Sequence, residues 1–326
     1  MARVARRTLH GLLLLVGVSV FTFALLSAAP GNFFDELQLN PQISPQTILA
    51  LKARYGMNDR FPIRYLKWLN SAARGDFGYS MSYSCPVGSL LWLRAGNTLL
   101  LAALATLLAW SIAIPWGIVE ALRRGSWIDR AGGVFTALLL AIPDLLLGLL
   151  LLLFAARTGW FPTGGMSTIN ASASAAPPSF LQSVRDLALH LVLPVIALAL
   201  GALPVLVRHV RAAVAAVLDS PFVEASRGLG IPPWRLIYRH VLPAAANSLI
   251  SLLGFSIGAL LSMSLLIEVV LSWPGLGPLV LEAMLSRDVY VVMAVVTLSS
   301  VFLVVGNLLA DLLLYYTDPR IRTVSP

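Results

Sequence analysis

Six stretches of this chain stay apolar for about 20 residues or more, the length a helix rising about 1.5 Å per residue needs to cross a hydrocarbon core about 30 Å thick. They run from about Leu9 to Ala29, Thr98 to Val119, Ala131 to Ala156, Leu187 to Val207, Ala244 to Ile267 and Val289 to Ala310. The second, fifth and sixth hold no charged residue, and the third holds only Asp144. Hydrocarbon offers unpaired backbone groups no partner, so such stretches can only be helices. The pattern predicts an all-α integral membrane protein with six transmembrane helices. For the first stretch a cleavable signal is the alternative, since Arg3, Arg6 and Arg7 precede it and Ser27-Ala28-Ala29 has small residues. Its length exceeds the usual 7–15-residue signal core, which favours an uncleaved anchor.

The polar segments carry patterns of their own. Residues 30–96 read as an extracytoplasmic helical segment. One helix is expected from Ser44-Pro45 through Ile48, Leu51 and Tyr55, stopping at Gly56. A second is expected from Pro62 to Ala73, with Ile63, Leu66 and Leu69 on one face and Arg64 and Lys67 on another. Gly75-Asp76-Phe77-Gly78 reads as a tight turn, and residues 164–183, rich in Ser, Ala and Pro, as a flexible loop. Between the fourth and fifth stretches, Asp219 or Ser220 is placed to cap a helix that has Pro221 in its first position. Phe222, Ala225 or Ser226, and Leu229 then share a face, and Gly228 and Gly230 break the helix. Pro232-Pro233 restart it, with Trp234, Ile237, Tyr238 and Val241 as a second stripe. A unit this short cannot fold alone. It lies on the lipid interface or docks on a cytoplasmic partner.

Composition sharpens the picture. The 326 residues are 58% hydrophobic and 12% charged, too little polar surface to cover a soluble globule. The excess of basic residues, a net +8, follows the positive-inside bias of short loops and does not point to a nucleic-acid partner. Thirteen Lys and Arg fall in the N-terminal tail, the 120–130 and 208–243 loops and the C-terminal tail, where Arg320 and Arg322 lie. Three fall in the loops 157–186 and 268–288, which places both termini in the cytoplasm. The layout is then a tail and first span (1–29), an extracytoplasmic segment (30–96), a five-helix core (97–316) containing the 219–243 loop, and a cytoplasmic tail (317–326).

Several chemistries are excluded or left without residues. A Walker A loop needs a Lys after Gly, yet the two lysines, Lys52 and Lys67, follow Leu51 and Leu66. Cys85 is the single cysteine, so no internal disulfide forms, and His10, His190, His209 and His240 lack metal-ligand spacing. Asp144, Glu268 and Asp311 are the acids near membrane depth. The last two sit at span ends, where they are wet or locally hydrogen-bonded. Asp144, deeper and after Pro143, faces a polar path or pairs with a neighbouring chain. Gly254, Gly258 and Ser262 recur every four residues, a face for close helix approach and a candidate lining of a path. No strong internal repeat supports a transporter of two inverted halves.

Glu224–Gly230 (EASRGLG), followed by His240–Pro243 (HVLP), resembles the EAA loop of ABC-importer permeases, with Ser226 and His240 departing from the usual residues. Six further segments, 51–69, 75–80, 141–165, 190–201, 268–292 and 307–322, resemble in the same order the B-type permease of the dipeptide, oligopeptide and nickel branch. At Asp144-Leu145 that branch usually has a bulky aromatic pair. The resemblance implies half of the membrane pathway of an ATP-driven importer in the bacterial inner membrane. It implies a second homologous permease, two ATP-binding subunits that hold the ATP, and an extracytoplasmic solute-binding protein; this chain would carry no cofactor and no catalytic or metal site. Glu224, Ala225, Ser226, Gly230, Arg235, His240, Leu242 and Pro243 become the ATPase-coupling loop. Asp76 of the 75–80 loop becomes part of the extracytoplasmic mouth, together with Trp273, Pro274 and Gly275 of a Ser272–Pro278 turn that cannot continue a helix. The rival reading is a stand-alone ion-coupled secondary transporter, which needs no docking loop.

Overall fold

The computed structural model describes residues 2–28, 46, 60–168 and 179–317. The helix expected from Ser44 to Gly56, most of the Ser/Ala/Pro loop and the basic C-terminal tail lie outside the described residues. In chain order the elements are α1 (Ala2–Ala28), α2 (Phe61–Ala72), a hairpin of β1 (Tyr79–Ser80) and β2 (Cys85–Pro86), α3 (Val87–Leu122), α4 (Trp127–Ala141), α5 (Asp144–Thr158) and α6 (Phe180–Leu218). Then come α7 (Pro221–Gly228), α8 (Pro233–Leu236), a π-helical turn (Ile237–Val241), α9 (Leu242–Val270), α10 (Leu276–Leu285) and α11 (Val289–Thr317).

Among the described residues five helices are long and apolar enough to cross a membrane, and a sixth crossing results if α4 and α5 count as one. The third apolar stretch is therefore not the continuous helix expected: α4 and α5 meet at 94°. Pro143 is the cause. Its ring disfavours helical backbone at the preceding residue, and Ile142 is extended (φ −84, ψ 120), so the helix stops and restarts at Asp144. Exposed indoles, Trp127 and Trp160, stand at the two ends of the pair, the residue type that favours the headgroup level. α3 and α6 overshoot their apolar stretches, reaching 36 and 39 residues. Backbone pairing continues beyond hydrocarbon, so hydropathy marks only part of each helix.

The chain divides into two compact units, residues 1–98 with 274–301, and residues 99–273 with 302–326. In the first, α2 packs on α1 through Tyr65 and Trp68, joined by Phe23 of α1 and Met293 of α11. The Tyr65 hydroxyl is 2.9 Å from Ser19 Oγ, and the Arg64 guanidinium lies 5.0 Å from the Phe23 ring centre while donating to Ser27 Oγ at 2.8 Å. Of the expected apolar face, Ile63 and Leu66 are exposed and Leu69 packs partly against this cluster. Both Tyr65 and Trp68 bury a large ring, and the Tyr65 hydroxyl still finds a polar partner in Ser19.

In the second unit α6 is the central helix, contacted by α4, α5 and α9. Small residues set the spacing. A Cβ on Gly117 would sit 2.7 Å from Val210 of α6, and one on Gly148 would sit 3.0 Å from Ile267 of α9. On α9, a Cβ at Gly254 would be 2.5 Å from Ala310 of α11, and one at Gly258 would strike Leu303. The Gly254/Gly258 face is thus buried against α11, and Ser262 turns its hydroxyl onto the Gly258 carbonyl at 3.1 Å. Glu268, expected at a wet or locally bonded span end, is fully buried.

Candidate functional site

The elbow between α6 and α9 is built by helix-ending rules. α6 stops at Leu218, and Ser220 takes the extended N-cap conformation with Pro221 in the first helical position. The Ser220 hydroxyl turns back to the Val217 carbonyl, so the cap has no side-chain bond. Glu224 stands in the first turn, where the helix dipole favours an anion. The helix closes in a Schellman turn: the Gly230 N–H donates to Arg227 O at 2.9 Å and the Ile231 N–H to Ser226 O at 3.4 Å. Gly230 has φ +72, a conformation that costs a residue with a Cβ about 1–2 kcal/mol.

After Pro232, α8 runs through the π turn into α9 without a gap. The Leu242 N–H reaches Ile237 O, five residues back. Pro243 explains the widened turn, because it has no N–H to offer the Arg239 carbonyl and its ring crowds that group. Ser226, Gly230, Arg235, His240, Leu242 and Pro243 thus fall on one short segment with two helix-ending devices.

That segment has two faces. Val223, Leu236 and Val241 are buried with Ile118 and Ala121 of α3 and Val210, Val214, Ala215 and Leu218 of α6. Burying such side chains is worth about 1.5–3 kcal/mol each, so the inner face is fixed. Phe222, Leu229 (82% exposed), Trp234 and Tyr238 (68% exposed) face outward, with the Arg235 guanidinium 5.2 Å from the Trp234 ring centre. The expected second stripe divides accordingly: Val241 is inside, while Trp234 and Tyr238 are outside. The π turn inserts one residue into the helical repeat, which rotates the later positions off a 3.6-residue period.

Asp144 opens α5 at the break of the third crossing and is partly buried. A Cβ on Gly201 of α6 would lie 2.9 Å from Asp144 Oδ1 and would strike Met263 of α9, so Gly201 leaves the carboxylate its room. In the first unit Asp76 holds its own turn by accepting the Gly78 N–H at 2.9 Å, with Gly75 and Gly78 at φ +85 and +97. The Pro274 carbonyl accepts from Asn97 Nδ2 at 2.7 Å, and the Leu276 N–H donates to Thr98 Oγ1 at 2.9 Å. The Ser272–Pro278 segment is shorter as a turn than expected, because α10 starts at Leu276 with Pro278 in its first turn, where a missing N–H is harmless. In the second unit Trp273 is fully buried. There α9 ends in its own Schellman turn, with Ser272 at φ 50 and the Trp273 N–H on Glu268 O at 2.8 Å.

A family model described as binding-protein-dependent transport system inner membrane component matches residues 113–323, and its N-terminal companion matches residues 1–93. The chain belongs to this family. The oligopeptide transport system permease protein AppB of Bacillus subtilis is 36% identical, over 98% of this chain and 99% of its own. The dipeptide permease DppB of Alkalihalophilus pseudofirmus is 29% identical over 99% of each chain, and the nickel import permease NikB of Staphylococcus aureus 30% identical over 97% and 90%. Among solved structures, a chain of the inward-facing MetNI methionine ABC transporter has the same fold, with a TM-score of 0.55 and 19% identity over 70% of this chain and 96% of that one. The chain is accordingly a multi-pass permease subunit of an ABC transport system, and the secondary-transporter reading is set aside.

The permease also uses residues that sequence reasoning passed over. Asp288 is buried and accepts from Ser80 Oγ (2.7 Å) and from the Met81 and Ser82 N–H groups (2.9 and 3.2 Å), pinning the hairpin to the start of α11. Beside it Tyr83 donates to Glu282, and burial together with that carboxylate pushes the phenol up to about 12. An Asp directly before an apolar run is an N-cap signal that was legible, and Asp288 Oδ1 does accept the Val291 N–H at 3.3 Å. Asp288→Ala leaves three hairpin donors and the Val291 N–H without their acceptor, at about 1–3 kcal/mol each if they stay buried. Limited proteolysis of the purified permease should then cut between Ser80 and Cys85 at least tenfold faster than in the parent; unchanged cutting would show the hairpin is held by other contacts.

Proposed function

We propose that this permease forms half of the translocation pathway of an ATP-driven importer of peptides or related small solutes, nickel chelates included, with cargo delivered by an extracytoplasmic solute-binding protein. A second homologous permease completes the pathway as a heterodimer, and two ATP-binding subunits hold the ATP, this chain having no ATPase site of its own. The observation that carries the reading is the two-faced elbow. Its inner face is fixed to α3 and α6, its outer face offers Phe222, Leu229, Trp234 and Tyr238, and its second helix is continuous with α9. Such a segment is a lever: a subunit gripping the outer face moves a membrane helix as a rigid body. The names of the relatives support the cargo class, and the MetNI likeness supports the architecture.

The loop charges favour both termini in the cytoplasm of a bacterial inner-membrane protein, with Asp76, Pro274 and Gly275 on the outer side. Asp144, set at the bend of the third crossing, belongs to the pathway wall in this reading.

Glu224→Lys places a cation at the N-terminus of α7 and on the gripped face. In proteoliposomes with the partner subunits it should lower uptake and transport-linked ATP hydrolysis at least tenfold, about 1.4 kcal/mol, while the chain still inserts; normal uptake argues against docking there. A reporter fused after Pro326 should give a cytoplasmic signal, and a periplasmic signal overturns the orientation. Asp144→Asn should change the uptake rate or the range of cargo accepted; identical kinetics across cargoes would return this residue to packing.

A further inference from the structure

Outside the elbow, a group of charges among the described residues of the second unit lies where α3, α4 and α6 converge, one helix end from α7. Arg211 of α6 grips Asp129 of α4 with two parallel bonds, Nε to Oδ1 at 2.7 Å and Nη2 to Oδ2 at 3.0 Å. Asp129 also accepts the Gly125 N–H at 2.9 Å, so it fixes the turn that joins α3 to α4. The same Arg211 Nε lies 3.9 Å from Oε2 of Glu120 on α3. Glu120 is 1% exposed, takes a 2.8 Å bond from Trp116 Nε1, and rests on Gly132 of α4, where any Cβ would collide with its carboxylate. Arg211 is therefore the cation set between two acids from two other helices. A further ion pair, Arg124 to Asp219 at 2.8 Å, ties the same turn to the root of the elbow; being exposed, it adds little alone.

The placement has a mechanical consequence. Arg211 stands two turns before the end of α6, between Val210 and Val214, which share a buried cluster with Val223 of α7. A planar, bidentate guanidinium holds orientation as well as distance. Glu120 cannot leave Arg211 without stranding a buried carboxylate. We propose that Arg211 is a positioning residue that locks the α3–α4 turn to α6, so that elbow movement is delivered to α4, the near half of the bent third crossing, and not dissipated within α6. The inference rests on the elbow being driven by ATP-binding subunits, and adds which helix receives the motion.

The test measures the movement itself. Spin labels at Trp127→Cys on α4 and Ala216→Cys on α6, both exposed positions, are placed in a Cys85→Ser background within the assembled transporter. With Arg211 present, the distance distribution should stay narrow and unshifted between nucleotide-free and ATP-analogue states, because the two helices move together. Arg211→Gln should broaden or shift it and lower uptake per ATP hydrolysed at least fivefold, while Arg211→Lys, which keeps the charge and loses the bidentate fork, should restore only part of that ratio. Should Arg211→Gln not fold, Asp129→Asn, which keeps the Glu120 partner, is read in the same way. A label distance that changes between states in the parent overturns the lock, as does a loss of uptake and hydrolysis in equal proportion. Failure of the parent chain to assemble with ATP-binding subunits refutes the importer reading instead. In that case the detergent-solubilised permease still decides the lock, by whether Arg211→Gln broadens the distribution.

Discussion

A helix leaves its last four carbonyls without partners in the helix, and the functional segments of this permease sit where a closing turn satisfies them. Among the described residues four helix ends use the same Schellman closure. Gly75 makes one at the end of α2, where the Asp76 N–H reaches Ser71 O at 3.0 Å, Gly230 one at the elbow, Ser272 one at the end of α9, and Arg287 one at the end of α10, where the Asp288 N–H reaches Ala283 O at 2.8 Å. The first two use the residue suited to a left-handed backbone. Ser272 and Arg287 hold φ of 50 and 56 at a cost of about 1–2 kcal/mol each. The next residue in each case offsets that strain: Trp273 is buried in a cluster with Leu101, Leu198 and Ile267, and Asp288 takes the hairpin bonds. Turn and anchor are one device, the αL residue aiming its successor's side chain into place.

The elbow adds a second use of the same constraint. Pro243 removes the N–H that the Arg239 carbonyl would take in an α-helix, and the π turn absorbs the loss without ending the helix. Continuity is kept through a helix-breaking residue, so the outward face and α9 form one body. Where Pro143 meets the chain in the third crossing, the outcome is a 94° bend instead. The difference lies in the preceding residue: Leu242 stays helical (φ −62, ψ −45), whereas Ile142 is extended. Packing of Val241 and Leu236 into the α3–α6 cluster holds the elbow helical, and the exposed Ala141 has no comparable anchor.

Much of this was legible in the sequence. The spans, the elbow, its glycine stop and the break after Pro232 follow from apolar length, capping residues and glycine placement, and Gly230 does what a C-terminal glycine is read to do. The family followed from ordered motifs. What escaped was which face turns inward. Ile63 and Leu66 outrank Tyr65 and Trp68 on hydropathy, yet the aromatic pair is buried because Phe23 and Met293 approach from α1 and α11. The second elbow stripe divided for a related reason: periodicity assumes 3.6 residues per turn, and the π turn departs from it. Asp129, Glu120 and Arg211 lie up to 91 residues apart in sequence, so their convergence is a property of packing alone.

The charged cluster and the glycines belong to one argument about how helices without a hydrophobic incentive between them stay in register. In lipid, apolar faces gain little by meeting, so close approach through Gly117, Gly132, Gly201 and Gly254 supplies the dispersion contact. Close approach alone leaves helices free to slide along their axes. A bidentate guanidinium with one acid on each of two neighbours removes that freedom, because sliding by even one residue separates donors from acceptors by about 1.5 Å. Gly132 is where both devices coincide: its missing side chain lets α4 approach α3, and the space it leaves is filled by the Glu120 carboxylate that Arg211 faces. The α3–α4–α6 end is thereby held in register by charge as well as by close packing. Stiffness beside the elbow is what a lever needs if its movement is to reach the membrane.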